Sequence, residues 1–270
     1  MYDVAFRAQA RPIIMSPAVL TLRFFQRELK DRFAGSFSGG LWALFQPLLQ
    51  LAVYAFVFVQ VFKARIPGAG APAYVPFLVT ALWPWTAFSE AILRSTTAIQ
   101  NNAALIGKVA LPRQVLVVAS VCASFAIHIT GFVAIVLILR IGGNGISLSG
   151  LPAALALYVP LFGLALGFAL ICSSIQVFVR DLVQLLAQVL PLLMFGAPIF
   201  YDRASLPERV QVFLSANPFT FYADAFRALL LHHGSIGLDR FAIALLVVAL
   251  VLAFGLWLFR RLDPHFEDFL

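Results

Sequence analysis

Inside the apolar stretches of this chain, charged chemistry is confined to one pair, Glu90 and Arg94. They are four residues apart, so a helix places them on one face. A charge within a membrane span is costly and usually faces a cavity or a partner. The pair reads either as a local ion pair or as the start of a water-facing strip through Ser95, Thr97 and Asn101. Other reactive types are sparse. His128 stands alone in an apolar run and reads more readily as a hydrogen-bonded packing residue than as a relay. His232 and His233 are adjacent, without metal-ligand spacing, and suit a solvated helix end. Cys122 and Cys172 both fall in apolar runs, where a thiol behaves as a small hydrophobe. Proton pumping needs acidic relays across the membrane. Glu90 apart, the acids fall at span ends or in loops, which argues against a proton-coupled carrier.

Phosphate-binding loops are missing too. Gly107-Lys108 has Asn102 where a P-loop needs its first glycine and Val109 where it needs Ser or Thr. Gly68-Ala-Gly70-Ala-Pro-Ala73 matches a loose dinucleotide-binding string, but it lies in a Pro-rich loop with no strand before it. No catalytic, cofactor or metal residue is therefore assigned. An integral membrane enzyme, which would need paired carboxylates, a His cluster or a nucleophile with its base, is disfavoured.

The elements that must position Glu90 and Arg94 are set by composition. Of 270 residues, 62% are hydrophobic and 11% charged, and mean hydropathy is +0.95. Soluble domains carry about 25% charged residues. A bilayer core of about 30 Å takes about 20 apolar residues as helix. The apolar runs, uncharged but for Glu90 and Arg94, predict six spans, at 41–62, 74–100, 114–139, 152–179, 182–200 and 241–259. The fold class expected is an all-α membrane protein, residues 1–270 forming one transmembrane domain.

Residues 1–40 form a cytoplasmic and interfacial segment in this reading. No cleavable signal peptide is expected there, because charges punctuate the whole stretch. Ser16-Pro17 reads as an N-cap with Pro at the first helical position. Ala18, Leu22, Phe25, Leu29 and Phe33 then follow at spacings of three or four, with Arg23, Arg27, Lys30 and Asp31 on another face. That is an amphipathic helix suited to the membrane interface or to packing on a partner subunit. Gly35, Gly39 and Gly40 would end it. Gln46, Gln50 and Gln60 of the first span should face other helices, where amides find partners. Gly163 and Gly167 form a G-x-x-x-G pattern, a weak signal for close helix approach.

Residues 201–239 contain two short amphipathic pieces. One is marked by the capping-box spacing Ser205 to Glu208, the other by Asn217-Pro218 and running to about His232. Neither is long and apolar enough to cross, so the segment is expected as a re-entrant or surface-lying helical hairpin on the external side between spans 5 and 6. Residues 260–270 form a cytoplasmic tail. With six spans the termini share a side, which carries Arg7, Arg11, Arg23, Arg27, Lys30, Arg32, Arg94, Lys108, Arg113, Arg180, Arg260 and Arg261. The opposite side has Lys63, Arg65, Arg140, Arg203, Arg209, Arg227 and Arg240. Basic residues stay inside, which makes both termini cytoplasmic. The same scatter at span ends explains the net charge of +7 better than nucleic acid does.

Aromatic residues cluster at Trp83-Pro-Trp85 with Phe88, at Phe195 with Phe200-Tyr201, and at Phe219 with Phe221-Tyr222. Most phenylalanines are expected to face lipid or neighbouring helices. Flat rings along a pathway would suit sugar rings without holding one tightly. The candidate path residues are Trp83, Trp85, Phe88, Glu90, Arg94, Phe195, Tyr201, Phe219 and Tyr222.

Several strings, in order, resemble the membrane (permease) subunit of ABC exporters for O-antigen and related cell-surface polysaccharides, of the ABC-2 type. Arg27-Glu-Leu-Lys-Asp-Arg-Phe-Ala-Gly-Ser36 leads into Leu41-Trp-Ala-Leu44. Leu82-Trp-Pro-Trp-Thr-Ala-Phe-Ser89 precedes Asn102-Ala-Ala-Leu-Ile-Gly-Lys-Val109 and Leu111-Pro-Arg113. Arg180-Asp-Leu182 follows span 4, and Leu206-Pro-Glu208, Ala216-Asn-Pro218 and Ala225-Phe-Arg227 lie in the hairpin segment. The resemblance covers nearly the whole chain. It implies a homodimer in the cell inner membrane, each copy bound to a separate cytoplasmic ATPase subunit that holds ATP and Mg. The cargo implied is a lipid-linked glycan, exported through a channel between protomers. It places Lys108, Pro112, Arg113, Arg180 and Asp181 near the ATPase contact. The link carries Gly107 and Ala110-Leu111 where the family often has a second basic residue and an aromatic. An exporter of drugs or other small amphiphiles is the alternative with nearly the same architecture.

Overall fold

The structure is a computed structural model, and it describes residues 16–33, 41–63, 74–108, 111–231 and 234–269. Every regular element among them is helical. The order is α1 (Pro17–Phe33), α2 (Leu41–Phe56, widened into a π-helical turn over Val57–Val61), α3 (Tyr74–Thr96), α4 (Ala103–Ile106), α5 (Gln114–Ile141), α6 (Leu151–Gln176), α7 (Leu182–Phe195), α8 (Glu208–Ser215), α9 (Pro218–Leu230) and α10 (Leu238–Leu262). A 3-10 turn at Gln100–Asn102 precedes α4, and another at Asp263–Asp268 follows α10.

Contacts at the two ends show how the long helices alternate. At one end, Tyr74 Oη donates to the Phe200 carbonyl (2.8 Å), Phe58 stacks on Phe200 (4.9 Å), and Ser147 N donates to the Leu230 carbonyl (2.8 Å). These join the end of α2, the start of α3, the α5–α6 loop, the segment after α7, and α9. At the other end, the Gln176 side chain bonds Gln100 (3.1 Å), the Arg180 carbonyl (2.9 Å) and Val183 N (2.9 Å). There Arg113 Nη1 also reaches Asp263 (3.0 Å). So α3, α5, α6 and α7 each run from one end to the other, while α2 finishes at the first end and α10 at the second.

Three stretches are long and apolar enough to cross a membrane: Gln114–Ile141, Leu151–Gln176 and Leu238–Asp268. Phe45–Val61 and Leu182–Phe195 are apolar but shorter. The chain is thus a multi-pass membrane protein. Backbone groups in lipid must be satisfied within the segment, which is why the crossing stretch Leu151–Gln176 stays helical even at Pro160.

The small-residue pattern in α6 proves to be a contact with α10. A Cβ on Gly163 would meet Val248 at 2.8 Å, and one on Gly167 would meet the Leu252 nitrogen at 2.9 Å. Gly255 returns the approach: a Cβ there would lie 2.5 Å from the Gly167 carbonyl. Contacts advance in the same direction along both helices, so α6 and α10 run parallel. Three missing side chains let the backbones touch, which is how helices associate where lipid supplies no hydrophobic drive.

Some boundaries differ from the sequence expectation. The Ser205 to Glu208 capping box does not form. Ser205 Oγ donates to the Asp202 carbonyl (2.7 Å), Asp202 caps a 3-10 turn, and α8 begins at Glu208 after an extended Pro207. A residue before proline is pushed out of the helical region, so Leu206 stays extended (φ −97°, ψ 156°) and a helix cannot start directly after Ser205. The caps at Ser16 and Asn217 do form, with Val19 N 3.4 Å from Ser16 Oγ and Phe219 N 2.9 Å from Asn217 Oδ1. The regular α-helix of the second expected span ends at Thr96, and that of the fifth at Phe195. α9 ends at Leu230 rather than near His232. Gly35, Gly39, Gly40, Gly68–Ala73, His232 and His233 lie outside the described residues.

Candidate functional site

Four helix faces and one buried arginine enclose a half-open cavity of about 520 Å3. Trp42, Gln46, Gln50 and Tyr54 line it from α2, each one helical turn from the next. α3 contributes Trp85, Thr86, Ser89, Glu90, Leu93 and Arg94, and α7 contributes Ala187, Leu190, Pro191 and Met194. His128 of α5 and Arg32 of α1 complete it. Spacings of three and four put each set on one face.

Its charged wall is a connected cluster. Glu90 Oε1 accepts from Arg94 Nε (2.7 Å) and from Arg32 Nη1 (3.1 Å), while Oε2 lies 2.7 Å from His128 Nε2. Arg32 Nη2 donates to Ser124 Oγ (2.7 Å), and its Nε is 3.6 Å from Glu28. The Arg32 side chain is 4% exposed and His128 2%. One carboxylate thus ties α1 to α3 and α5. Burial lowers the pKa of Arg32, the nearby Arg94 adds to that, and Glu90 and Glu28 oppose it. Counting Glu28, the two guanidinium groups of the cluster are matched by two carboxylates. The rest of the lining offers ring faces and amide or hydroxyl groups, a set that fits polar, ring-bearing molecules.

The structure brings Trp85, Glu90 and Arg94 to this cavity. It does not bring the other residues singled out in the sequence. Trp83 is buried and donates to the His128 carbonyl (2.8 Å). Phe88 and Phe219 are buried against one another and against Trp85. Phe195 is 51% exposed and stacks on Phe200 (5.0 Å), and Tyr201 Oη donates to the Phe195 carbonyl (2.9 Å). Tyr222 lines a different cavity. Of the polar strip, Ser95 drops out, fully buried and donating to the Ala91 carbonyl (2.7 Å), whereas Thr97 and the exposed Asn101 pair at 3.2 Å and Asn101 lines a cavity with Arg94. A hydroxyl one residue past Arg94 falls about 100° round the helix, toward the core.

Arg32, Trp42, Gln46, Gln50, Tyr54 and Met194 escaped selection. The glutamines were visible as polar residues in an apolar run, and their four-residue spacing already put them on one face. Arg32 gave no such signal. It sits among exposed charges of an amphipathic helix and is distinguished only by turning inward onto Glu90.

The end that carries the Gln176 network also carries Lys108, Pro112, Arg180 and Asp181, all exposed. Arg113 is different. Its guanidinium is held by Asp263 and Glu267 of the C-terminal turn, where Phe266 is fully buried. Phe178, just past α6, packs on Phe269 (4.8 Å). The link before α5, the α6–α7 turn and the tail are therefore one assembly. Among the described residues no three His, Cys, Asp or Glu side chains lie close enough to share a metal ion.

At the opposite end Arg227, counted from the sequence among the basic residues of the external side, is only 4% exposed. It donates to the carbonyls of Pro198 (2.5 Å), Ile199 (2.7 Å) and Phe77 (3.4 Å), and its guanidinium lies 3.4 Å from the Phe77 ring centroid. Burial lowers its pKa to about 9, which still leaves it charged at neutral pH. This one side chain fastens α9 to the start of α3 and to the turn after α7.

Comparison with known proteins agrees with this architecture. Residues 20–231 match the family model described as ABC-2 type transporter. The chain is 28% identical over 247 residues to an O-antigen export system permease protein RfbA of Klebsiella pneumoniae, covering 90% of this chain and 92% of that one. It is 29% identical over 227 residues to an RfbA of Myxococcus xanthus, covering 79% and 81%. It is 24% identical over 203 residues to the polysialic acid transport protein KpsM of Escherichia coli, covering 75% and 78%. With a helical bundle of membrane-crossing apolar elements and a family match over most of its length, the chain belongs to the ABC-2 type transporter family.

Proposed function

We propose that this chain is the membrane subunit of an ATP-driven exporter that moves a lipid-linked, O-antigen-like polysaccharide across the inner membrane. The observation that carries this is the cavity flanked by α2 and α7. It is a polar, aromatic opening in a bundle of largely apolar helices, and both flanking helices leave apolar surface uncovered. Trp42, Leu49 and Val53 of α2 and Leu185 and Leu192 of α7 are each more than half exposed. A second copy related by a two-fold axis would cover those faces and close two half-cavities into one conduit. Tryptophan and tyrosine rings with glutamine amides give a sugar polymer repeated weak contacts, so it can bind and still move. The names of the relatives support the cargo class.

In this reading six helices span, residues 201–239 form an external re-entrant hairpin, and both termini are cytoplasmic. ATP and Mg are bound by a separate partner subunit and none by this chain. Lys108, Pro112, Arg180 and Asp181 contact that subunit, and Arg113 acts by holding the tail against the same surface. Trp85, Glu90 and Arg94 line the path.

The test is complementation of a strain lacking the subunit, scored as surface polysaccharide, with copurification of the ATPase as a second readout. Lys108→Ala and Arg180→Ala should lower both. Trp85→Ala with Gln50→Leu should lower export and leave copurification intact. Normal export in the second variant would remove the cavity from the path, and normal copurification in the first two would remove their role.

A further inference from the structure

At the end that carries α8 and α9, a second cavity of about 480 Å3 opens between α6, α9 and α10. Its walls divide by polarity. Arg203, Ser215, Asn217, Asp224 and Arg240 form the polar part, and Leu164, Ile243, Ala244 and Val247 the apolar part. Arg240, Ile243, Ala244 and Val247 recur at i, i+3, i+4 and i+7, so they share one face of α10. The cation therefore sits at the head of an apolar groove that runs down the helix for about 10 Å at 1.5 Å per residue.

The charges do not balance. Arg203 is bound to Asp224 (3.1 Å) and to Ser215 (2.9 Å). Arg240 is exposed and forms no ion pair among the described residues. The groove also faces outward. Ile243 is 62% exposed, and the apolar strip continues through the exposed Leu246, Leu250 and Phe254. The most apolar window of this helix is only 11% buried.

We infer that this cavity holds an anionic phospholipid, with its phosphate at Arg240 and one acyl chain laid along Ile243 and Val247. A guanidinium beside an apolar groove suits a ligand with a negative head and a hydrocarbon tail. A phosphate bond to a charged donor is among the stronger hydrogen bonds, and each buried CH2 adds to it. A free phosphate could use Arg240 but not the groove. A zwitterionic lipid brings its own cation to a site that already has one in excess. The volume lies within the usual range for ligand pockets, roughly 300–1,000 Å3. The inference rests on the membrane placement of α10, not on the export reading, so either can fail without the other.

The full chain, purified in mild detergent, is titrated with dioleoylphosphatidylglycerol or dioleoylphosphatidylcholine and bound lipid is counted by native mass spectrometry. Phosphatidylglycerol should be held about tenfold more tightly, the size of one charge-assisted hydrogen bond. Arg240→Gln should abolish that preference, and Ala244→Phe should weaken both lipids by filling the groove. Arg209→Gln, an exposed change outside the cavity, should leave the preference as it is. Equal retention of the two lipids, an unchanged preference in Arg240→Gln, or displacement of phosphatidylglycerol by glycerol phosphate alone would each overturn the inference.

Discussion

Removing the Glu90 carboxylate should loosen α1 from the bundle, and the structure sets the size of the effect. Arg32 is nearly inaccessible, and its contact with Glu90 spans 3.1 Å. Breaking a buried pair from one side costs about 3–5 kcal/mol because the other charge is stranded. Two features reduce that here. Glu90 is 33% exposed, so water takes part of its place, and Arg32 retains Glu28 and Ser124. Glu90→Gln and Arg32→Gln should each cost about 2 kcal/mol. For a chain of this size that is a fall in Tm of about 4–8 °C. Arg94 is 47% exposed, so Arg94→Gln should cost about 0–1 kcal/mol, as exposed pairs do. The assay is thermal unfolding in detergent, with the two inward substitutions combined in a double-mutant cycle. The combined loss should fall short of the sum by about 1 kcal/mol or more, because both remove the same contact. Additive losses, or an Arg94→Gln loss as large as that of Arg32→Gln, would refute the assignment of Arg32 as the anchor.

Two further outcomes follow from contacts described above. Gly167→Leu should push α6 and α10 apart and lower stability by about 1–3 kcal/mol or more, read as Tm, while Gly107→Ala, where a Cβ would meet only a carbonyl at 3.9 Å, should be neutral. Arg227→Met strands the Pro198 and Ile199 carbonyls and should expose α9 to limited proteolysis. Arg227→Lys should rescue this only in part, since an ammonium cannot reproduce the stack on Phe77 or the fork of donors.

The helical class, the long apolar elements and the caps at Ser16 and Asn217 were legible in the sequence, because lipid imposes a length and a polarity on each crossing segment independently of its neighbours. The pairing of Glu90 with Arg94 was legible for the same local reason, a spacing of four. Gln46 and Gln50 were conspicuous, but what they faced was not. Ser205 misled, because a capping-box spacing describes only four residues and Pro207 intervened.

What sequence alone determined, then, is everything set by a segment and its solvent: which stretches are helical and apolar, and where charge is confined. Tertiary structure alone decided which solvent each exception meets. It turned Arg32 inward onto Glu90 and His128 and buried Arg227 in a cage of carbonyls. It also gave Arg113 to the acidic tail and left Arg240 at a groove without an ion pair among the described residues. Period and composition fix which residues share a helix face, but the partner of that face comes from helices 45 to 150 residues away in the chain. No local pattern carries that choice.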